Sequence, residues 1–308
     1  FTDYLGGAPA NVASALRKLK IDSIFIGSLG RDDFGKKIIE QFNELEVNLD
    51  FLQSNNDSST RVVNVDRDQF GDRFFSGFEP SLHSCFADEA LSMKLIEKEL
   101  LNLEKCFLRT KYLVTGTNVL SSSISAETIF FLLEQAKKSE VKVVIDLNWR
   151  EVFWDYSNFA SDTSKKGRIN LIKNFLNHAH VIKLAKEEAT LFFEIENPSF
   201  ISQQMSKRPD VIITDGKNPV SWHINGFQGN TKIPKSQKIV DTTGAGDAFL
   251  AGLISQFISF GYPKSELEIQ ACVRFASACG LLTCHGEGAI EPQPDYEKVS
   301  KFLGSLIS

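Results

Sequence analysis

Near the C-terminal end, Lys238-Ile239-Val240 runs straight into Asp241-Thr242-Thr243-Gly244-Ala245-Gly246-Asp247, and the apolar pattern AFLAGLISQFI follows at once. Glycine carries no Cβ, so Gly244-Ala245-Gly246 can turn tightly and leave backbone N–H groups uncovered at a helix start. A helix N-terminus bears partial positive charge, which makes such a turn a place for an anion. An aspartate beside that anion is useful when the anion reacts. Phosphoryl transfer needs both parts: N–H groups of Gly244, Ala245, Gly246 and Asp247 to hold the phosphoryl oxygens, and Asp247 to take the proton of an attacking hydroxyl. The plainer reading is a glycine-rich helix entry whose first-turn acid complements the dipole.

A second cluster of small residues opens the chain, where Leu5-Gly6-Gly7-Ala8-Pro9-Ala10-Asn11 leads into VASALRKL. Paired glycines admit a ligand close to the backbone, and the amide of Asn11 both donates and accepts, as sugar hydroxyls require. A glycine turn capped by Asn before a helix is the alternative. Arg150 ends the string Asp146-Leu147-Asn148-Trp149-Arg150, just after a strong apolar run. A guanidinium there can grip a phosphate through two parallel hydrogen bonds, or sit in a surface ion pair.

These groups need a frame, and the chain alternates helical and strand patterns to supply it. Val12, Ala15, Leu16 and Leu19 share one helical face, and residues 22–26 read as a short buried strand. Asp32 or Asp33 caps a second helix with Ile38, Ile39, Phe42 and Leu45 inside. Further short apolar runs lie at 112–114, 141–145, 181–182 and 210–214, separated by helical stretches at 88–105, 124–138, 165–177 and 186–205. Repeated strand–helix–strand units predict an α/β fold, a mostly parallel central sheet with helices on both faces and its site at the carboxyl ends of the strands. Residues 60–78 break the rhythm with a hairpin signal, read as a small β flap, and Asn225-Gly226 marks a second hairpin.

The 308 residues are 42% hydrophobic and 24% charged, enough for one large domain or two modest ones. A net charge of −5 argues against nucleic acid and polybasic membrane binding, and neither a membrane span nor a signal peptide is seen. The five cysteines form no CxxC pair, which favours a reduced, cytoplasmic compartment, while the 25 phenylalanines are scattered and fill the core. The histidines are dispersed without metal-ligand spacing, and neither a GxSxG elbow nor a Walker loop occurs.

DTTGAGDAFLAGL resembles the C-terminal signature of the ribokinase-like (phosphofructokinase-B-type) carbohydrate kinases, and LGGAPANVASALRKL with GSLGRDDFG resembles their N-terminal one. The resemblance covers the whole chain, and GGAPANVA and DLNWR resemble the fructokinase branch. It implies one ribokinase-like domain over 1–308 with a lid from residues 1–5 and 60–79, and transfer of the γ-phosphoryl group of ATP to a sugar hydroxyl with Mg2+. Asp247 matches the catalytic base and Gly244, Ala245 and Gly246 the anion hole; Gly6, Gly7, Asn11 and Arg150 fall on the substrate side. Glu188, Thr214, Gly216, Ala276 and Gly280 fall on the nucleotide side, with Cys279 beside the last two. Asp241 and Thr243 match residues near a monovalent cation, K+, which main-chain oxygens of 285–289 would complete. Ala185 stands where the family's Asn-x-x-Glu motif often has asparagine. A first strand bearing a sugar-binding aspartate is expected upstream of Phe1.

Fructose is the acceptor this resemblance favours. A 2-keto-3-deoxygluconate kinase suits DLNWR too, with Arg150 or Arg61 meeting the substrate carboxylate. A nucleoside kinase would want an apolar lid, against which Asp66-Arg67-Asp68 argues, and a non-catalytic binding relative would not keep DTTGAGD whole. Exposed edges of the flap leave a homodimer open.

Overall fold

The computed structural model describes residues 4–67, 73–79, 86–154, 164–235 and 239–306. Ten strands follow in chain order: β1 (Ile24–Gly30), β2 (Asn48–Asn55), β3 (Val62–Arg67), β4 (Arg73–Glu79), β5 (Tyr112–Gly116), β6 (Lys142–Asp146), β7 (Val181–Ala185), β8 (Asp210–Thr214), β9 (Val220–Ile224) and β10 (Phe227–Thr231). The main sheet has the order β10-β9-β8-β7-β6-β5, parallel from β5 to β8 and antiparallel at β9 and β10. β6 and β7 are buried almost throughout, β7 with a lysine, Lys183, among its apolar residues, whereas β9 alternates buried and half-buried residues. Side chains of period two divide the core. Val143, Ile145 and Leu147 face one apolar cluster with Ile182 and Leu184, while Val144 faces the other with Val181, Ile212 and Trp222.

The helix Ala245–Phe260 runs through that second cluster and is buried from Ala248 to Phe257. It packs between the helices Ala8–Lys18 and Glu266–Thr283. Gly252 sets the second spacing, since a Cβ there would come within 3.0 Å of Cys279 Sγ and Ala276 Cα. Among the described residues no helix is long and apolar enough to cross a membrane.

Two expected helices are broken. The stretch 88–105 is a 3-10 turn, Ala87–Ala90, followed by Met93–Lys98 and Leu100–Phe107 with a break at Glu99. The stretch 186–205 is Lys186–Phe193 and Pro198–Gln203. Glu194 takes a left-handed φ of 58°, and Asn197 caps a new helix in which Pro198, lacking an N–H, occupies the first turn. β1 and β2 pair in parallel as a sheet of their own, where one central sheet was expected. The flap is the antiparallel hairpin β3–β4; its turn at 68–72 lies outside the described residues. The second hairpin turns at Asn225 (φ 51°) and Gly226 (φ 81°), the pair of positive angles that a two-residue turn needs.

The string GSLGRDDFG fastens the root of the flap. Asp32 accepts from Gly35 N at 2.8 Å as a helix cap and from Thr60 N at 2.6 Å with its other oxygen, while Gly30 N donates to Thr60 Oγ1 at 3.0 Å. Burial opposes ionisation of Asp32, but these donors hold its pKa below the usual carboxylate range. A Cβ at Gly30 would stand within 3.0 Å of the Asp32 carboxylate, Thr60 N and Ser58 O. Gly30→Ala is expected to lower unfolding free energy by about 1–3 kcal/mol, the usual result of forcing volume into closed packing. A urea midpoint that fell at constant slope would bear this out, and an unmoved midpoint would show that the knot has slack.

Candidate active site

The turn before helix Ala245–Phe260 is built as its residues suggest. Gly244 caps the helix at φ 73°, and a Cβ on it would meet the backbone of Ala289 within 3.0 Å, so glycine is required twice over. Ala245 N donates to Thr242 O and Ala248 N to Gly244 O. The N–H groups of Gly244, Gly246 and Asp247 have no acceptor among the described residues. Three free donors at the head of a buried helix are a fitting cradle for phosphoryl oxygens.

Helix Ala8–Lys18 begins at a second positive-φ glycine, Gly7 at 113°, and brings Asn11 to the same place. Asn11 Nδ2 donates to Asp247 Oδ2 at 2.7 Å. Asn11 is only 4% exposed, yet its Oδ1 has no hydrogen-bond partner. Gly6 lies beside that oxygen, a Cβ there standing in van der Waals contact at 3.5 Å from Oδ1 and 3.7 Å from Ala289 Cβ. A hydroxyl-bearing ligand would satisfy it. Lys18, donating to the carbonyls of Ile290 and Glu291, and Gln293, donating to Asn11 O at 2.9 Å, fix this helix to the C-terminal loop.

Asp247 lies among charges. Burial, then the neighbouring Asp146 carboxylate, push its pKa up to about 6, while the Asn11 hydrogen bond, Lys183 and Arg150 hold it down. Lys183 is the site residue that the reading of motifs missed. It stands opposite Asp146 in the β6–β7 register and donates to both carboxylate oxygens at 3.0 and 2.8 Å. Burial would lower its pKa, but Asp146, Glu188 and Asp247 together raise it. The signal was present: a lysine inside the buried run Val181-Ile182-Lys183-Leu184 needs an acid, and Asp146 ends the adjoining apolar run.

Glu188 serves as a brace. Its oxygens accept from Trp149 N at 2.6 Å and Ala185 N at 2.7 Å, joining the turn after β6 to the start of helix Lys186–Phe193. That turn contains Asn148 at φ 44° and delivers Arg150, whose Nη1 donates to Trp149 O at 2.8 Å. Asp241 accepts from Thr243 N at 2.6 Å and from Gly288 N at 3.2 Å, tying the turn to the loop 285–289. Among the described residues no three His, Cys, Asp or Glu side chains are grouped to hold a metal ion.

The other nucleotide-side positions are dispersed. Thr214 ends β8 and bonds Leu184 O at 3.3 Å, and Gly216 follows at φ 51°. Ala276 is fully buried against helix Ala245–Phe260, and Gly280 lets the backbone of Ala245 approach, where a Cβ would stand 2.8 Å from its carbonyl oxygen. Arg61, a candidate for meeting a substrate carboxylate, is paired with Asp88 and Glu89 and lies over the rings of Phe86 at 4.1 Å and Phe153 at 4.9 Å.

Residues 1–296 match the pfkB family carbohydrate kinase. The probable chloroplastic fructokinase-6 of Arabidopsis thaliana is 29% identical over 97% of this chain and 74% of its own length, and the fructokinase of Salmonella typhimurium 27% identical over 94% and 88%. Among solved structures, the fructokinase of Xylella fastidiosa with bound ATP is similar at a TM-score of 0.85 and 26% identity, covering 100% of this chain and 93% of that one. The fructokinase of Vibrio cholerae bound to fructose, ADP and calcium is similar at a TM-score of 0.80 and 26% identity, over 98% and 92%. With both glycine turns meeting at one carboxylate, and with these similarities along its length, the chain belongs to the pfkB family of carbohydrate kinases, in the fructokinase branch.

Proposed function

We propose that this kinase transfers the γ-phosphoryl group of ATP to a hydroxyl of fructose, with Asp247 as general base. One observation carries the reading: a carboxylate with a pKa near neutrality shares its turn with three unpaired N–H groups. The N–H groups of Gly244, Gly246 and Asp247 hold the phosphoryl oxygens. Asp247 takes the proton from the attacking hydroxyl, and Asn11 aims it while its own Oδ1 accepts from another sugar hydroxyl. Arg150 answers the negative charge at the same edge. The hairpin β3–β4 closes over the sugar as a lid within one kinase domain, excluding water that would otherwise hydrolyse ATP. Mg2+ bound with the nucleotide would supply neutralisation of phosphate charge. K+ is proposed beside buried Asp241, Thr243 and the carbonyls of 285–289, where it fits a carboxylate that already joins both segments.

ADP release with fructose, ribose, 2-keto-3-deoxygluconate and adenosine tests the acceptor. Fructose is expected to give the highest kcat/KM, and preference for 2-keto-3-deoxygluconate would reassign it. Asp247→Asn is expected to lower kcat by ~10²–10⁴, the usual worth of a general base. The same variant is expected to melt at a higher temperature than the parent at pH 7. Folded Asp247 has its pKa raised from 3.8 to about 6, so the folded chain holds the proton more tightly. Stability from this group is therefore greatest below its unfolded pKa and declines as pH rises through the folded one, leaving a cost of roughly 3 kcal/mol at neutrality. A variant that melts lower would contradict that sign.

The acid limb of the kcat/KM profile should fall at about pH 6, where Asp247 takes up its proton. Asn11→Ala removes a donor to the ionised form and should move this limb to higher pH. A limb that stays in place would mean another group limits the rate.

A further inference from the structure

Proton transfer and the anion-holding turn leave Lys183 without a task. Its side chain is 8% exposed, and two of its three N–H groups go to Asp146. The third has no acceptor among the described residues. The ammonium lies against the turn itself, for a Cβ built on Gly246 would stand 3.0 Å from Nζ. Gly246 lies inside the helix and is not one of the positive-φ glycines, so its backbone does not demand glycine. What the missing side chain allows is close packing of the Lys183 ammonium against Gly246, a residue of the turn itself.

The charges around that contact are unfavourable to an anion. Asp146, Glu188 and Asp247 all act on Lys183 as nearby acids, and an incoming phosphoryl group adds more negative charge beside them. A buried ion pair kept for stability alone gains little over an apolar pair of the same volume. We propose that Lys183 is a further catalytic residue: Asp146 anchors its ammonium against Gly246, where its remaining N–H meets a non-bridging oxygen of the phosphoryl group held by the turn. There it neutralises charge as this spreads over the equatorial oxygens. The bond from the sugar oxygen to phosphorus forms, and the bond from phosphorus to the bridging oxygen breaks, its electron pair leaving with ADP. The hydroxyl proton passes to Asp247, and Lys183 keeps its own proton throughout. The proposal rests on residues 244–247 being the phosphoryl site.

Lys183→Met, the double variant Asp146→Asn with Lys183→Met, Gly246→Ala and Asp247→Asn separate the possibilities in the intact chain. The double variant removes both charges together, so its melting temperature is expected near that of the parent. Its kcat is expected to stay lower by ~10²–10³, as for a lost transition-state donor, with the KM for sugar little changed. Parental turnover in the double variant would show that Lys183 only balances Asp146, and would overturn the proposal. Gly246→Ala keeps every N–H and presses only on the movable end of Lys183; a loss of tenfold or more in kcat with intact folding is expected, and parental turnover would again overturn it. If Asp247→Asn retains full activity, the reading of the turn fails and takes this proposal with it. If Asp247→Asn is inactive while the double variant works, the lysine assignment alone falls.

Discussion

Asn11 donates to Asp247 across 236 positions of chain, and each end of that bond lies in the first turns of a helix that begins at a positive-φ glycine. Two helix N-termini therefore open on one cleft, each with the equivalent of about half a positive charge and with donors its own helix cannot use. Ala289 lies between them: Gly244 rests on its backbone, and Gly6 faces its side chain. A lone helix head would be a weak and floppy anion site. Two heads locked by a carboxylate and an amide make a rigid one, and the carboxylate that locks them is also placed to take a proton.

Burying that carboxylate has consequences for everything near it. The sheet supplies Asp146 from the end of β6 and Lys183 from the middle of β7, a pair of opposite sign that leaves no bare charge. Glu188 spends both oxygens on backbone donors and so fixes the turn that carries Arg150. Arg61 holds the root of the hairpin from the other side, and its contact with Phe153 connects that root to the segment just beyond Arg150. Cleft floor and flap root thus share one set of supports.

Much of this was legible in the sequence because the physical demands are local. The glycines at 7 and 244 announce turns, the runs Val143-Val144-Ile145 and Val211-Ile212-Ile213 are buried strand centres because each is apolar throughout, and Asp32 caps the helix it precedes. What escaped depends on partners distant in sequence. Lys183 gained a role only when register set it against Asp146. Arg61 looked available for a substrate until Asp88 and Glu89 were found beside it. The breaks at Glu99 and Glu194 escaped because apolar spacing continues across them, while the backbone does not.

Gly280 bears on the durability of the site. The helix Glu266–Thr283 presses this glycine against the carbonyl of Ala245, and Ala289 presses on the neighbouring Gly244. The turn at 244–247 is thus held by two backbone contacts too close for a methyl group, and its donors keep their aim only while both hold. Warming that loosens either contact by a few tenths of an ångström would blur that aim while the buried strands beneath remain intact. Heat would then silence such a catalyst before it melted it, and cooling would restore it.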